Sequence, residues 1–389
     1  MNYVCISPHF PLNYVNFPVR LRARGVSVLG IGSEPYDCLS PALREALTEY
    51  YRVDDMEDYD GMLRACGFFT HKYGKIDRIE SHNEHWLVQD ARLRTDFNVF
   101  GFKNDDMGPI KYKSAMKEVF RKAGIPVARG RIVRSLSEAR ALIKETGWPV
   151  CAKPDSGVGA ARTYKIRSDG ELVAFFDSKP DVDYIMEEFI EGEIHTFDGL
   201  TDRDGEPVFI NSFVFPTGVM ESVNDRLDML YYSQVPVPAD LADYGLRAAR
   251  AFGLKERFFH FEFFRTPEGR LVALEINARP PGGWSMDLFN YSGDTDLYDE
   301  YARLVTEGSA GCPFDAAYYT AYVGRKQGDG IAHVHSVEEV LDRFAGMIVH
   351  YGPIDSIFAA AIGDYAFALR AREQAPLKEA AAFILQRAY

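Results

Sequence analysis

The sequence predicts an α/β fold followed by α+β lobes, and three observations lead there. Over the first hundred or so residues, short apolar runs alternate with stretches of helical spacing, the β-α-β-α order of an open parallel sheet. From residue 184 to about 277 the pattern is β-rich, with turn residues between the strands. The remaining tail mixes both signals in a compact α+β arrangement.

Taken in order, residues 3–7, 26–32, 50–53 and 76–81 read as strands, and 17–24, 56–73 and 84–94 as helices. No GxGxxG opens a helix here, so a dinucleotide fingerprint is missing. His82, Asn83, Glu84 and His85 lack metal-ligand spacing and read as a solvated loop and helix start. A polar segment at 103–108 separates this lobe from a helix at 114–123, stopped by Gly124 and Pro126. Residues 130–133 form a strand. A helix over 135–146 opens on a Ser135/Glu138 capping box and closes at Gly147. Strands at 148–153 and 184–189 follow. In the tail, 317–323, 346–350 and a stretch ending near 366–369 within 355–369 read as strands, and 336–344 and 374–387 as helices. His333 and His335 alternate on one strand face, which without a third ligand reads as a polar face.

At 389 residues the chain has room for two or three domains. Its 44 Lys plus Arg against 57 Asp plus Glu leave a net charge of −13, which disfavours nucleic acid as a partner. No apolar stretch is long enough for a membrane span, and no secretory leader pattern opens the chain. The 5 cysteines are scattered and odd in number, a usage that predicts a reducing cytoplasm. Cys151, on a strand, reads as buried core.

Two constellations carry chemistry. In the first, the strand at 148–153 ends on Lys153 and enters a loop with Ser156, Gly157 and Gly159. Glycines let backbone N–H groups approach phosphate oxygens while the lysine supplies charge. The lysine precedes the glycines, so this is not a Walker A loop, and a hairpin turn with an incidental lysine is the competing reading.

The second is a strand pair, 258–265 and 270–277, joined by Thr266-Pro267-Glu268-Gly269. With Arg265 facing Arg270, His260 would face Glu275 and Glu262 would face Ala273. Alternation then puts His260, Glu262, Glu275 and Asn277 on one face. Two carboxylates and an amide oxygen suit Mg²⁺, which keeps water and phosphate oxygens as its other ligands. His260 reads as a hydrogen-bonded neighbour of that set, and a sheet face turned to water is the alternative. Arg279 follows in an Ala-Arg-Pro-Pro-Gly-Gly turn that could aim its guanidinium at metal-bound oxygens.

The order of Lys113, Lys153-Pro154 with its glycine loop, Glu187-Glu188-Phe189-Ile190, and Glu262…Glu275-Ile276-Asn277-Ala278-Arg279-Pro280 resembles the ATP-grasp superfamily. The resemblance implies a pre-ATP-grasp parallel domain at 1–105 and a small lobe with the glycine-rich loop at 106–188. A large lobe with the metal site would span 189–310, and a C-terminal α+β lobe 311–389. It further implies ATP as cofactor with Mg²⁺, or Mn²⁺ in its place. Lys113 would be the first phosphate-binding lysine, with Lys111 as the competing register, and Lys153 the second. Glu187 would accept from the adenine amino group, and the backbones of Glu188 and Ile190 would read the adenine edge. Glu193 would take the ribose, since Ile194 stands where relatives often carry a carboxylate. Glu262, Glu275 and Asn277 would hold the metal, and Arg279 would face the γ-phosphate and an acyl-phosphate.

The activity so implied is an ADP-forming ligase that joins a small-molecule carboxylate to an amine, of the amino-acid or peptide class. Charge neutralisation and in-line positioning would do the work. Arg226, in a mixed segment between 213 and 237, is the candidate clamp for a substrate carboxylate. The alternatives are a bicarbonate-phosphorylating carboxylase of the biotin or purine branch and a non-catalytic ATP-binding module. The C-terminal lobe is expected to cover part of the site or form a homodimer surface.

Overall fold

The computed structural model describes residues 1–157, 162–311, 314–328 and 330–388. Gly159 therefore lies outside the described residues. The strands, in chain order, form three sheets among them. β1 (Asn2–Ile6), β2 (Ser27–Gly32), β3 (Glu49–Arg52) and β4 (Arg78–Glu80) make a parallel sheet of order β3-β2-β1-β4. Val4, Ile6, Leu29 and Ile31 are buried in it, as expected for a sheet covered on both faces. The helix Tyr59–Tyr73, capped by the Asp58 carboxylate on the Asp60 and Gly61 N–H groups, packs Met62, Ala65, Cys66 and Phe69 into the same core.

The second sheet is antiparallel: β5 (Gly130–Val133), β6 (Val150–Pro154), β7 (Tyr164–Ile166) and β8 (Tyr184–Glu188), in the order β5-β8-β6-β7. Helices Leu136–Thr146 and Asp169–Ser178 cover one face, where Ala152, Met186, Leu142 and Phe175 are buried together. The period of two along β6 and β8 turns Cys151, Lys153 and Glu187 to the other face. β7 and the helix Asp169–Ser178 are absent from the pattern read along the sequence.

The third sheet holds β9 (Glu193–Thr201), β10 (Pro207–Asn211), β11 (Phe213–Phe215), β12 (Met229–Ser233), β13 (Arg257–Arg265), β14 (Leu271–Asn277), β15 (Tyr319–Arg325), β16 (Ile348–Pro353) and β17 (Tyr365–Ala371). Its order is β14-β13-β9-β11-β12-β15-β17-β16, with β10 paired to β9, so one sheet runs from the large lobe into the C-terminal segment. Phe259, Phe261, Phe263 and Ile276 pack with Met116, Phe120, Leu241 and Ala248 of the helices Lys113–Lys122 and Ala239–Ala251. Alternation hands the opposite face to His260, Glu262, Glu275 and Asn277. In the tail, residues 356–362 are a helix, Ser356–Ile362, and β17 follows it.

Buried ion pairs tie the N-terminal domain to the third sheet. Glu80 at the end of β4 binds Arg257 at the start of β13 and Arg94, and Arg78 pairs with Glu256. His333 donates or accepts at Asp228 (3.2 Å) and His335 meets Gln386 (3.1 Å), so both serve the packing of the tail. Among the described residues no helix is long and apolar enough to cross a membrane.

Candidate active site

A cleft of about 830 Å³ opens between the second and third sheets. Lys113, Lys153, Ser156, Gly157, Glu187, Glu188, Ile190, Glu262 and Glu275 all line it. Lys113 begins the helix Lys113–Lys122, and that start is pinned to the end of β6 by Asp155. The Asp155 carboxylate accepts from Ser114 N (2.7 Å) and Ser114 Oγ (2.9 Å), and its carbonyl accepts from Lys113 N (2.8 Å). A carboxylate on the first-turn N–H groups satisfies donors that the helix itself leaves open. It also sets Lys113 beside the lysine loop, where its Nζ donates to the Gly157 carbonyl (3.3 Å). Lys111, two residues earlier, is held by Glu84 at 2.8 Å and does not line the cleft.

Lys153 and Lys117 share one carboxylate. Glu187 lies 2.9 Å from Lys153 and 2.8 Å from Lys117, and all three side chains are less than a tenth exposed. Burial opposes the charge on Glu187, yet the two ammonium groups hold its carboxyl below the ordinary range. Burial also opposes the charge on Lys153, and Glu187 reverses the balance so that its pKa rises. For Lys117 burial wins and the ammonium is depressed. Both oxygens of Glu187 thus lie in ion-pair range of a lysine, while Oε1 accepts no hydrogen bond among the described residues. The sequence reading passed over Lys117, although it stands one helical turn after Lys113, a spacing that shares a face.

Beyond β8 the chain passes Phe189 and Ile190 and turns at Gly192 (φ +158°), where a Cβ would sit 2.4 Å from the Arg265 carbonyl. The Ile190 N–H has no hydrogen-bond partner among the described residues, so it is open to a ligand edge. Glu188 keeps its carboxylate on Arg129 (2.8 Å) and its N–H on the Arg129 carbonyl (2.9 Å). Glu193, expected at the ribose, is exposed, 3.7 Å from His195, and off the cleft; Glu191 lines it instead.

The hairpin register differs from the sequence expectation. His260 faces Asn277 and Glu262 faces Glu275; a bulge then brings Phe263 opposite Ala273 and Arg265 opposite Leu271. The turn is one residue longer than the Arg265–Arg270 pairing assumed, and the bulge adds a second residue of offset, which returns His260 and Glu262 to the face that Glu275 and Asn277 occupy. The shared face survives, and the two carboxylates are now direct neighbours across the ladder. Burial and the Glu262 charge raise the Glu275 carboxyl. Burial also works against the Glu262 charge, but His260 outweighs it and holds that carboxyl down. His260 donates to both sides, to Asp198 (2.6 Å) and Glu262 (3.0 Å). Burial would lower its pKa, and Asp198 pushes it up to about 9. Thr196 closes the chain by donating to the other Asp198 oxygen. Asp198 and Thr196 sit on β9, more than sixty residues away, and no local spacing announces them.

Two facing carboxylates, one of them destabilised by its neighbour, form a donor set that a cation completes. The described residues hold no cluster of three acidic, histidine or cysteine ligands. Two carboxylates with the Asn277 amide suit Mg²⁺, which takes its remaining oxygens from water and phosphate, rather than a metal needing a full protein cage. The Lys113 ammonium, 4.0 Å from Glu275, stands where the metal-bound phosphates would need charge.

Arg279 donates to Asn277 Oδ1 (3.2 Å) and the Pro280 carbonyl (2.8 Å), and its Nε lies 3.7 Å from Glu84. Glu84 comes from the loop after β4. One of its oxygens takes Lys111, and the other is buried with no hydrogen-bond partner. Sequence reading placed Glu84 in a solvated loop; the structure carries it to the metal-side face. Arg226 is exposed and donates to the Gln327 carbonyl (3.3 Å), outside the cleft that its neighbours Asp225 and Leu227 line. Cys151 is half-buried and lines the cleft rather than the core.

Comparison with known proteins agrees with this geometry. Residues 147–287 match the ATP-grasp domain family. The chain is 28% identical over 255 residues to the L-arginine-specific L-amino acid ligase of Bacillus subtilis, a match covering 63% of this chain and 61% of that protein. The matched part thus spans under two thirds of that relative. In fold it is similar to the L-amino acid ligase of Bacillus licheniformis, with a TM-score of 0.74, 15% identity, and coverage of 100% and 98% of the two chains. It is also similar to the biotin carboxylase domain of the Hydrogenobacter thermophilus 2-oxoglutarate carboxylase, solved with MgADP and bicarbonate (TM-score 0.67, 17% identity, 95% and 86% covered). The stretch that matches the ATP-grasp domain family, residues 147–287, encloses the lysine loop and the carboxylate hairpin.

Proposed function

We propose that the protein is an ATP-dependent, ADP-forming ligase that activates a small-molecule carboxylate as an acyl-phosphate and joins it to an amine, with amino acids as the substrate class. One observation carries this reading: Glu84, whose buried Oε2 accepts no hydrogen bond among the described residues, lies 3.7 Å from Arg279 beside the Glu262–Glu275 pair. A cation and an anion receptor side by side fit an amino acid, whose ammonium Glu84 accepts and whose carboxylate Arg279 orients.

The residues have distinct tasks. Lys113 and Lys153 neutralise nucleotide phosphates, and the open Ile190 N–H reads the base edge. Glu262, Glu275 and Asn277 would hold Mg²⁺, which when bound supplies charge stabilisation to the transferring phosphoryl group. His260, fixed by Asp198, holds Glu262 ionised and oriented. Arg279 offers its N–H groups to the oxyanion that develops as the carboxylate attacks the phosphoryl group and, later, as the amine displaces phosphate. The MgADP in the related carboxylase domain supports ATP and Mg²⁺ as the cofactors here.

The test is phosphate release from ATP with Mg²⁺ across a matrix of paired amino acids, with mass spectrometry of the products. The expected result is pair-dependent phosphate release with an adduct one water lighter than its parts. Release that ignores the amino acids, or needs bicarbonate, overturns the reading.

A further inference from the structure

A second cavity, of about 910 Å³, lies between the N-terminal domain, the loops before β10 and β13, and the end of the helix Leu297–Glu307. It shares no lining residue with the nucleotide cleft. In a chain of net charge −13, its wall carries six lysine and arginine side chains against four carboxylates. Those carboxylates are already engaged. Glu256 takes Arg78, Glu307 takes Arg24 and Arg303, Asp106 accepts the Lys103 N–H, and Asp77 accepts the Asn2 N–H. Lys75, Arg203 and Lys255 have no carboxylate partner among the described residues.

The cavity is also preformed. Arg257, only 5% exposed, forms part of its floor, held by Glu80 and by the Ala278 carbonyl (2.9 Å), and stacks over Phe102 at 5.2 Å. Arg78 and Arg203 flank the Phe100 ring at 4.9 and 5.2 Å. The N–H edges of Arg78 and Arg257 are taken by Glu256, Glu80 and the Asp77 and Ala278 carbonyls, whereas stacking steadies the Arg203 plane and leaves its edges to bind a planar oxyanion. A concave wall of unpaired cations focuses potential into the space between them.

We propose that this cavity is a binding site for a small, multiply charged anion bearing phosphate or carboxylate groups. Lys75, Arg203 and Lys255 come from three separate segments around the rim, so a ligand with several charged groups spans them where a simple ion would meet one. The proposal does not depend on the ligase reading, because binding alone tests it.

The experiment is calorimetric titration of the full chain, without added metal and at low salt, with citrate and separately with tripolyphosphate. Wild type is compared with the double variant Arg203→Glu, Lys255→Glu and with Lys153→Ala in the nucleotide cleft. Arg203 and Lys255 are exposed, and an unchanged melting temperature checks that the double variant keeps its fold. The expected result is a one-to-one binding component that weakens at least tenfold in the double variant and persists in Lys153→Ala. Citrate alone in that component names a carboxylate ligand, and tripolyphosphate alone a phosphate ligand. Binding that ignores the double variant, or no binding of either probe to wild type, overturns the proposal.

Discussion

Replacing Glu275 by Gln separates the metal role from the packing role of the carboxylate hairpin. The side chain is 23% exposed and faces Glu262 across the ladder. At a charge separation of ~6 Å and an effective dielectric of ~20, the Glu262–Glu275 repulsion is about 3 kcal/mol. The Lys113 ammonium at 4.0 Å returns an attraction of similar size, ~4 kcal/mol on the same scale. The raised Glu275 carboxyl says that burial and repulsion together outweigh that attraction. The amide should therefore leave the metal-free protein as stable as wild type, or more stable by about 1 kcal/mol. Bound nucleotide reports the other half. Mg²⁺ and ADP at ~100 times their dissociation constant add about 2.7 kcal/mol to the wild type. With an unfolding entropy of ~2 cal/mol/K per residue, that is an upward shift of roughly 3 °C in melting temperature for a chain of this length. In Glu275→Gln the Mg²⁺-dependent part of that shift should vanish, while any shift from ADP alone remains. Differential scanning calorimetry of both proteins, with ADP and with or without Mg²⁺, reads all four cases. A full Mg²⁺-dependent shift in the variant, or a large loss of stability without metal, would rule out Glu275 as a metal ligand under repulsion from Glu262.

Arg279→Ala should lower kcat by roughly 10²–10³ while ADP affinity stays within about threefold, because an oxyanion donor acts mainly in the transition state. Equal losses in both would make Arg279 a ground-state ligand. Lys117→Met removes one of two cations from a carboxylate that is 3% exposed, at a cost of about 2–4 kcal/mol in urea denaturation. Adding Glu187→Gln should return part of that stability, and simple additivity would show that the two groups are not coupled. Glu80, buried between Arg257 and Arg94, is held down to about 2 despite the opposing effect of burial. A depressed carboxyl adds stability above its unfolded value of ~4.5, and loses it as pH falls toward about 2. Glu80→Gln should flatten that limb of an acid titration of stability, and an unchanged limb would assign it to other groups.

What was legible in the chain was legible for local reasons. The strand–lysine–glycine loop and the Glu-x-Asn-x-Arg run are short segments whose side-chain directions follow from a period of two. Lys153 and Glu187, and likewise Glu262 and Glu275, consequently reach the cleft as their spacing implies, and Asn277 shares the face of the last two. The hairpin register was missed by one residue next to the turn and by two at the carboxylates, since turn length and the bulge depend on contacts that spacing does not encode. Lys117 was within reach, because a lysine one turn after Lys113 shares its face. Glu84 and Asp198 were not. Their roles exist only because the parallel domain docks on the third sheet and β9 lies beside β13. Arg226 shows the converse: a residue type suited to a clamp, placed by a left-handed backbone (φ +51°) where its guanidinium meets Gln327.

Local sequence suffices for the class of fold, the two cleft lysines and the carboxylate–amide face, because strand alternation and loop composition act over a few residues. Tertiary packing settles which carboxylates pair, which lysines neutralise Glu187, and that an acid from the N-terminal domain stands beside Arg279. Those outcomes depend on burial and on distances between segments far apart in the chain, where a charge is stabilised or destabilised by whatever the fold brings beside it.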